Sequence, residues 1–202
     1  MNNRQKQAEE TKRVLIKTAQ KLITKYGYDE VKVEDITNAC NRGKGTFYHY
    51  FKSKEELLEV MSSSHWISFL KDFEKTKNKP VTERLLWYIT GFQSIIEEGT
   101  IDLNRQWIKY CLDSNDESEG RKTGEAKLQK DITCLEQILN EAIEKGELVN
   151  DTPVNKLALV INAEMYGIML SWSFSNGQIK MTNRKDRLYE SIIGYLLNEY
   201  IV

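Results

Sequence analysis

Only two prolines, Pro80 and Pro153, interrupt the 202 residues, and glycine occurs 11 times. Proline breaks the helical hydrogen-bond ladder and glycine weakens it, so a chain poor in both is free to run in long helices. The apolar residues repeat accordingly. Leu15, Ala19, Leu22 and Tyr26 stand at i, i+4, i+7 and i+11, one face of a helix over 11–26 that Gly27 ends. A short second helix turns Val33, Ile36 and Ala39 inward. Asn41 follows as a turn residue that tolerates the left-handed conformation. Gly43-Lys44-Gly45-Thr46 opens a third short helix, with Phe47 and Phe51 at i and i+4. The capping box Ser53-Lys54-Glu55-Glu56 starts a long helix to about residue 76, with Leu57, Met61, His65, Phe69 and Phe73 along one face. Further helices are expected over about 81–98, 102–112, 125–145, 153–176 and 183–200, with the polar run 113–124 as a loop. No segment alternates with the strand period. The expected fold class is all-α, with about nine helices.

Composition narrows the setting. Hydrophobic residues make up 40% and charged residues 29%, the balance of a soluble chain with a core of its own. Cys40, Cys111 and Cys134 are odd in number, far apart and without a CxxC pair, so a disulfide framework is not expected and a reducing compartment is. The N-terminus has no apolar stretch of the kind a secretory signal carries. The most apolar run, 157–174, holds Asn162 and Glu164 mid-span, which suits a buried helix rather than a membrane span. The expected location is cytoplasmic, with no membrane partner.

The net charge of −1 hides an asymmetry: residues 1–54 carry 12 basic and 6 acidic side chains, a net +6, while residues 55–202 carry a net −7. Three short helices on the basic end, followed by a long one, form a helix-turn-helix layout. Such a unit needs a recognition helix narrow enough for the major groove and small or donor-rich residues at its start. Here these are Lys44, Gly45 and Thr46, followed by Tyr48, His49 and Tyr50. Lys44 can donate to guanine edges or phosphate, and Gly45 permits close backbone approach. Lys52 and Lys54 flank the helix and suit phosphate, although solvated surface charge would explain them as well. Phe47 and Phe51 read as core, while Tyr48 and Tyr50 lie on other faces.

The run from Gly43 to Leu58 resembles the DNA-binding signature of TetR-family transcriptional regulators, and Ala19…Tyr26-Gly27-Tyr28 with Val33…Asp35-Ile36 matches the same spacing. The resemblance is specific over residues 11–60. It implies a helix-turn-helix DNA-binding domain over 1–54 and a helical ligand-binding and dimerisation domain over 55–202. It turns Lys44, Gly45, Thr46, Tyr48 and His49 toward bases and gives Tyr50 and Lys54 to phosphates. There are departures from the family pattern. Lys32 stands where Ser or Thr usually caps the second helix, keeping a phosphate contact without the cap. Arg42 replaces a usually apolar residue, and Gly43 a usual Ser or Thr.

The second half suggests partners. Leu157, Ile161, Met165, Ile168 and Trp172 form one stripe, and Leu188, Ile192, Leu196 and Tyr200 another, with Gly167 and Gly194 allowing close approach. Faces this wide exceed what one side of a surface helix needs. The resemblance implies that the two final helices pair with those of a second copy, so Leu157, Ile161, Ile168, Trp172, Leu188, Ile192 and Leu196 are expected at a homodimer interface; an all-intramolecular core is the plainer alternative. The middle helices are rich in aromatic and soft residues. His65, Trp66, Phe69, Trp87, Tyr88 and Phe92 are candidates to line an apolar ligand cavity. Trp107, Tyr110, Cys111, Met165 and Met169 join them, with Glu164 as a carboxylate that could face a cationic ligand. Ordinary core packing competes for each residue singly.

No Glu-x-x-His pair, HExxH, P-loop or GxSxG is present, and the two histidines lack ligand spacing, so neither enzyme activity nor a metal or cofactor is expected. The expected function is a DNA-binding repressor released from a palindromic operator by a small lipophilic effector. Two alternatives stay open: a constitutive regulator without a ligand, and a helical carrier or enzyme with a vestigial helix-turn-helix.

Overall fold

The computed structural model describes residues 2–113, 115, 117–181 and 194–202. Among these residues there are eight α-helices and a short 3₁₀ turn, with no strand beyond one isolated bridge between Leu148 and Ile201. The helices are α1 (Asn3–Tyr26), α2 (Val33–Ala39), α3 (Lys44–Tyr50), α4 (Lys54–Phe73), α5 (Val81–Glu98), α6 (Ile101–Cys111), α7 (Glu119–Glu144) and α8 (Val154–Phe174).

Two helix starts differ from expectation, and capping explains both. α1 begins eight residues early because the Asn2 side chain accepts the Gln5 N–H at 2.9 Å and the Gln5 side chain accepts the Asn2 N–H at 3.0 Å. α7 begins inside the expected loop because Ser118 Oγ accepts the Arg121 N–H at 3.1 Å. At its N-terminal end α7 lies so close to α6 that a Cβ on Gly120 would sit 2.1 Å from the Tyr110 carbonyl oxygen, and one on Gly124 would sit 2.8 Å from Cys111 Cβ. The expected loop over 113–124 therefore stops short of both glycines, which lie inside α7. The expected final helix over 183–200 lies mostly outside the described residues. Its end, at 194–197, forms a short π-helical turn, and Val149 N–H reaches the Tyr200 carbonyl at 2.9 Å.

Two apolar clusters result. The first joins Leu15, Ala19 and Ile23 of α1 with Ile36, Phe47 and Phe51, and is closed by Leu57, Leu58 and Met61 of α4. On α1 the buried period runs through Ile23, so Tyr26 is left exposed; on α2 Thr37 is buried and Ala39 faces out. The second cluster joins α4, α5, α7 and α8. A division at 54/55 therefore falls at the head of a helix that both cores share. α8 is long and apolar enough to cross a membrane by composition alone, but its buried stripe packs along α7 and α5 within the second core.

Candidate functional site

The turn between α2 and α3 sets up the recognition helix. Asn41 adopts the left-handed conformation, with φ 51°, and the Arg42 N–H returns to the Thr37 carbonyl at 2.8 Å. At α2 the side chain of Lys32 makes no cap, and Asp35 accepts the Lys32 N–H at 2.8 Å instead. α3 then stands with Phe47 fully buried and its other sides open. Lys44, Gly45, Tyr48 and His49 are exposed, Thr46 is half-buried, and Tyr48 leans edge-on against Phe47. Lys44 pairs with Glu34 of α2. A Cβ on Gly45 would meet nothing within 4 Å, so nothing in the chain itself requires glycine there.

The flanking residues divide. Lys32 and Lys52 are exposed, and Tyr50 is half-buried against the first core with His49 on its edge. Lys54 is turned inward, contrary to its expected phosphate role. Its Nζ donates to the carbonyls of Tyr28 at 2.7 Å and Val31 at 3.1 Å, and lies 4.0 Å from the Tyr28 ring centroid. It ties α4 to the α1–α2 turn.

A cavity of about 700 Å³ opens among α4, α5, α6, α7 and α8, within the usual range for small-molecule sites. Of the expected ligand residues, His65, Trp66, Phe92, Trp107 and Met169 line it. The others do not. Phe69 stacks on Trp87 at 5.1 Å in the second core, filling the space a side chain at Gly91 would occupy. Tyr88 and Met165 are fully buried there. Tyr110 donates to Glu59 at 3.3 Å, and burial beside that carboxylate pushes its phenol up to about 12. Cys111 packs behind Gly124, where burial pushes its thiol up to about 12. Glu164 is partly exposed on α8 and does not line the cavity.

The sequence reading missed the polar part of the wall. Gln20 and Thr24 reach the cavity from α1, with Gln20 Nε2 3.0 Å from His65 Nε2. Asn104, Lys127 and Tyr166 also line it. Behind them Asp131 is wholly buried, bonded to Lys127 and to Tyr166. A signal for Asp131 was present: it occupies the first position of the stripe that Leu135, Ile138 and Ala142 continue.

The expected dimer residues also face differently. Leu157, Ile161 and Trp172 are buried in the chain's own core, because they lie on the side of α8 that meets α7 and α5. Ile168 and Leu196 are half-buried at its edge, and Leu188 and Ile192 lie outside the described residues. The opposite face of α8 presents Leu159, Val160, Ala163, Gly167 and Phe174, the last 82% exposed. No cluster of metal-ligating side chains occurs among the described residues.

Residues 15–61 match the family model of the bacterial regulatory proteins, tetR family. The uncharacterized HTH-type transcriptional regulator YuxN of Bacillus subtilis is 40% identical over 139 residues, which is 67% of this chain but 48% of that protein, so the match spans about half the relative's length. Two solved structures share the fold. A TetR-family transcriptional regulator from Cytophaga hutchinsonii superposes with a TM-score of 0.73 at 21% identity, over 97% of each chain. The regulator FadR of Bacillus subtilis, solved in complex with stearoyl-CoA, superposes with a TM-score of 0.72 at 21% identity, over 89% of this chain and 96% of its own. Residues 15–61, from α1 into α4, thus carry the sequence signature of the tetR family of bacterial regulatory proteins, and the helices behind them share the fold of solved regulators of that family.

Proposed function

We propose that the chain is a cytoplasmic, homodimeric repressor that a small lipophilic effector releases from a palindromic operator. The observation that carries this reading is that the cavity and the reader share a wall. Gln20 and Thr24 of α1 line the cavity directly. α6 lines it with Leu103, Asn104 and Trp107 and grips the reader's turn on its other side. There Asp102 Oδ2 accepts the Tyr28 N–H at 2.6 Å, and Gln106 Nε2 donates to Asp29 at 3.0 Å. The same helix is anchored to α8, where Asn104 and Arg105 each donate to Ser173 at 2.6 Å. A molecule filling the cavity therefore pushes on α6 and α1 together. A shift of α6 carries the α1–α2 turn, and with it the spacing of two recognition helices that must meet half-sites about 34–36 Å apart. Release needs only that the effector bind the wrongly spaced form more tightly. The stearoyl-CoA complex of FadR supports a lipophilic effector by analogy of fold. The outward face of α8 supports pairing with a second copy, since Gly167 there has open space beside it and Leu159 and Val160 are each 47% exposed.

The test is selection of bound sequences from a random DNA pool at moderate salt, followed by screening lipophiles for release. A consensus with two inverted half-sites supports the reading. A folded dimer that enriches nothing rejects the reader, and a consensus that no lipophile displaces rejects the effector. Two variants sharpen this. Gly45→Ala is expected to stabilise the fold by about 0.5–1 kcal/mol, as glycine in a helix costs that much, while weakening operator binding about tenfold by blocking close approach. Melting and gel-shift assays read the two effects separately, and unchanged operator affinity would remove Gly45 from the interface. Asp102→Ala is expected to leave effector binding unchanged and to cut effector-driven release at least threefold, on the scale of a coupling energy of about 1 kcal/mol. Full release by this variant would mean that α6 does not carry the signal through Tyr28.

A further inference from the structure

One corner of the cavity is charged in a way its apolar wall does not require. Asp131 is wholly buried, and its carboxylate accepts from Tyr166 Oη at 2.8 Å, from Tyr88 Oη at 3.4 Å and from Lys127 Nζ at 2.6 Å. Burial, with Asp131 beside them, holds both phenols far above their usual range, so they remain donors. The Lys127 ammonium hangs 3.6 Å from the Trp66 ring centroid and 5.5 Å from that of Phe92. Lysine placed N-terminal to its acid is the weaker order on an isolated helix, so helix electrostatics alone do not account for the pair. Two aromatic faces and a buried carboxylate surround the cation, which is the chemistry by which proteins recognise ammonium groups.

We propose that this corner is a cation site which the chain's own Lys127 fills, and that the effector is a lipophilic ammonium whose head group displaces Lys127. The proposal rests on reading the cavity as the effector site. The tail of such a molecule has the apolar wall of Leu58, Ile95 and Leu103 to lie against. The displaced lysine has a way out, since its side chain is already 22% exposed and the next lysine on the wall, Lys130, is exposed at the rim. An anion fares worse at the same place. It would meet the negative faces of two rings, a buried carboxylate, and an ammonium that already has its counter-ion.

Titration of the full chain with decyltrimethylammonium, decanol and decanoate, below their micellar concentrations and followed by tryptophan fluorescence, tests this. The cation is expected to bind about tenfold more tightly than decanol, with decanoate weakest. Lys127→Met removes the internal competitor and is expected to tighten the cation about tenfold, whereas Asp131→Asn is expected to abolish its advantage over decanol. Decanoate binding as tightly as the cation, or Lys127→Met weakening the cation, overturns the proposal. Decanol binding with no gain for the cation overturns the cation site and leaves the cavity reading intact; failure of all three to bind removes both. If either variant does not fold, the three-ligand series on the native chain decides.

Discussion

Asp131→Ala is expected to lower the stability of the chain by about 3–5 kcal/mol, the usual cost of removing one partner from a buried ion pair. The residue is wholly buried and holds three donors at once. Its loss leaves the Tyr88 hydroxyl, fully buried on α5, without that acceptor and takes the counter-ion from the Lys127 ammonium beside Trp66. At about 2–4 °C per kcal/mol for a chain of this size, the melting temperature falls by roughly 10 °C. Lys127→Met together with Asp131→Leu is expected to recover part of the loss, because no charge is then left buried, but not all of it, because Tyr88 still lacks its acceptor. Thermal denaturation of the three proteins checks the order. A fall below about 1 kcal/mol for Asp131→Ala would mean that the surrounding groups relax to solvent and that the network is not structural.

Gly120→Ala is expected to cost about 2–3 kcal/mol, the upper part of the range for overpacking. The added methyl carbon would sit 2.1 Å from the Tyr110 carbonyl oxygen and 2.9 Å from its ring. A side chain could turn aside from such a clash, but a helix backbone cannot, so α6 and α7 must separate. Chemical denaturation with an unchanged slope reads the loss directly. A neutral result would show that the two helices tolerate separation at this end, and that α6 is not held at its C-terminus.

The helices of the first 60 residues were legible because their signals are local. Asn41 at the turn, Gly27 at the end of α1 and the Ser53 cap each act through neighbouring backbone, which the sequence displays. Residue facing was harder. Leu157 and Trp172 suggest an interface because apolar residues lie on both sides of α8, and periodicity cannot tell an inner from an outer apolar face. The cavity was half legible for a related reason. Aromatics such as Trp66 and Phe92 line it while Phe69 and Tyr88 pack beside it, and composition treats the four alike. Lys54 illustrates a different limit. A lysine next to a recognition helix suggests phosphate, and only the positions of two carbonyls, 23 and 26 residues away in sequence, turn it inward.

The shared ownership of α4 bears on how regulators of this kind can be recombined. Leu57, Leu58 and Met61 complete the first core, that of the reader, while Trp66, Phe69 and Phe73 on the same helix belong to the second core, which holds the proposed sensor. A chimera that keeps this reader and changes its sensor must therefore carry the chain through Met61, and the incoming α6 must offer a carboxylate where Asp102 stands. A splice at residue 54 would give a reader with an unfilled core. One at residue 61 without that carboxylate would keep both cores but lose the tie from α6 to the Tyr28 N–H, and with it the route by which the proposed effector would reach the reader.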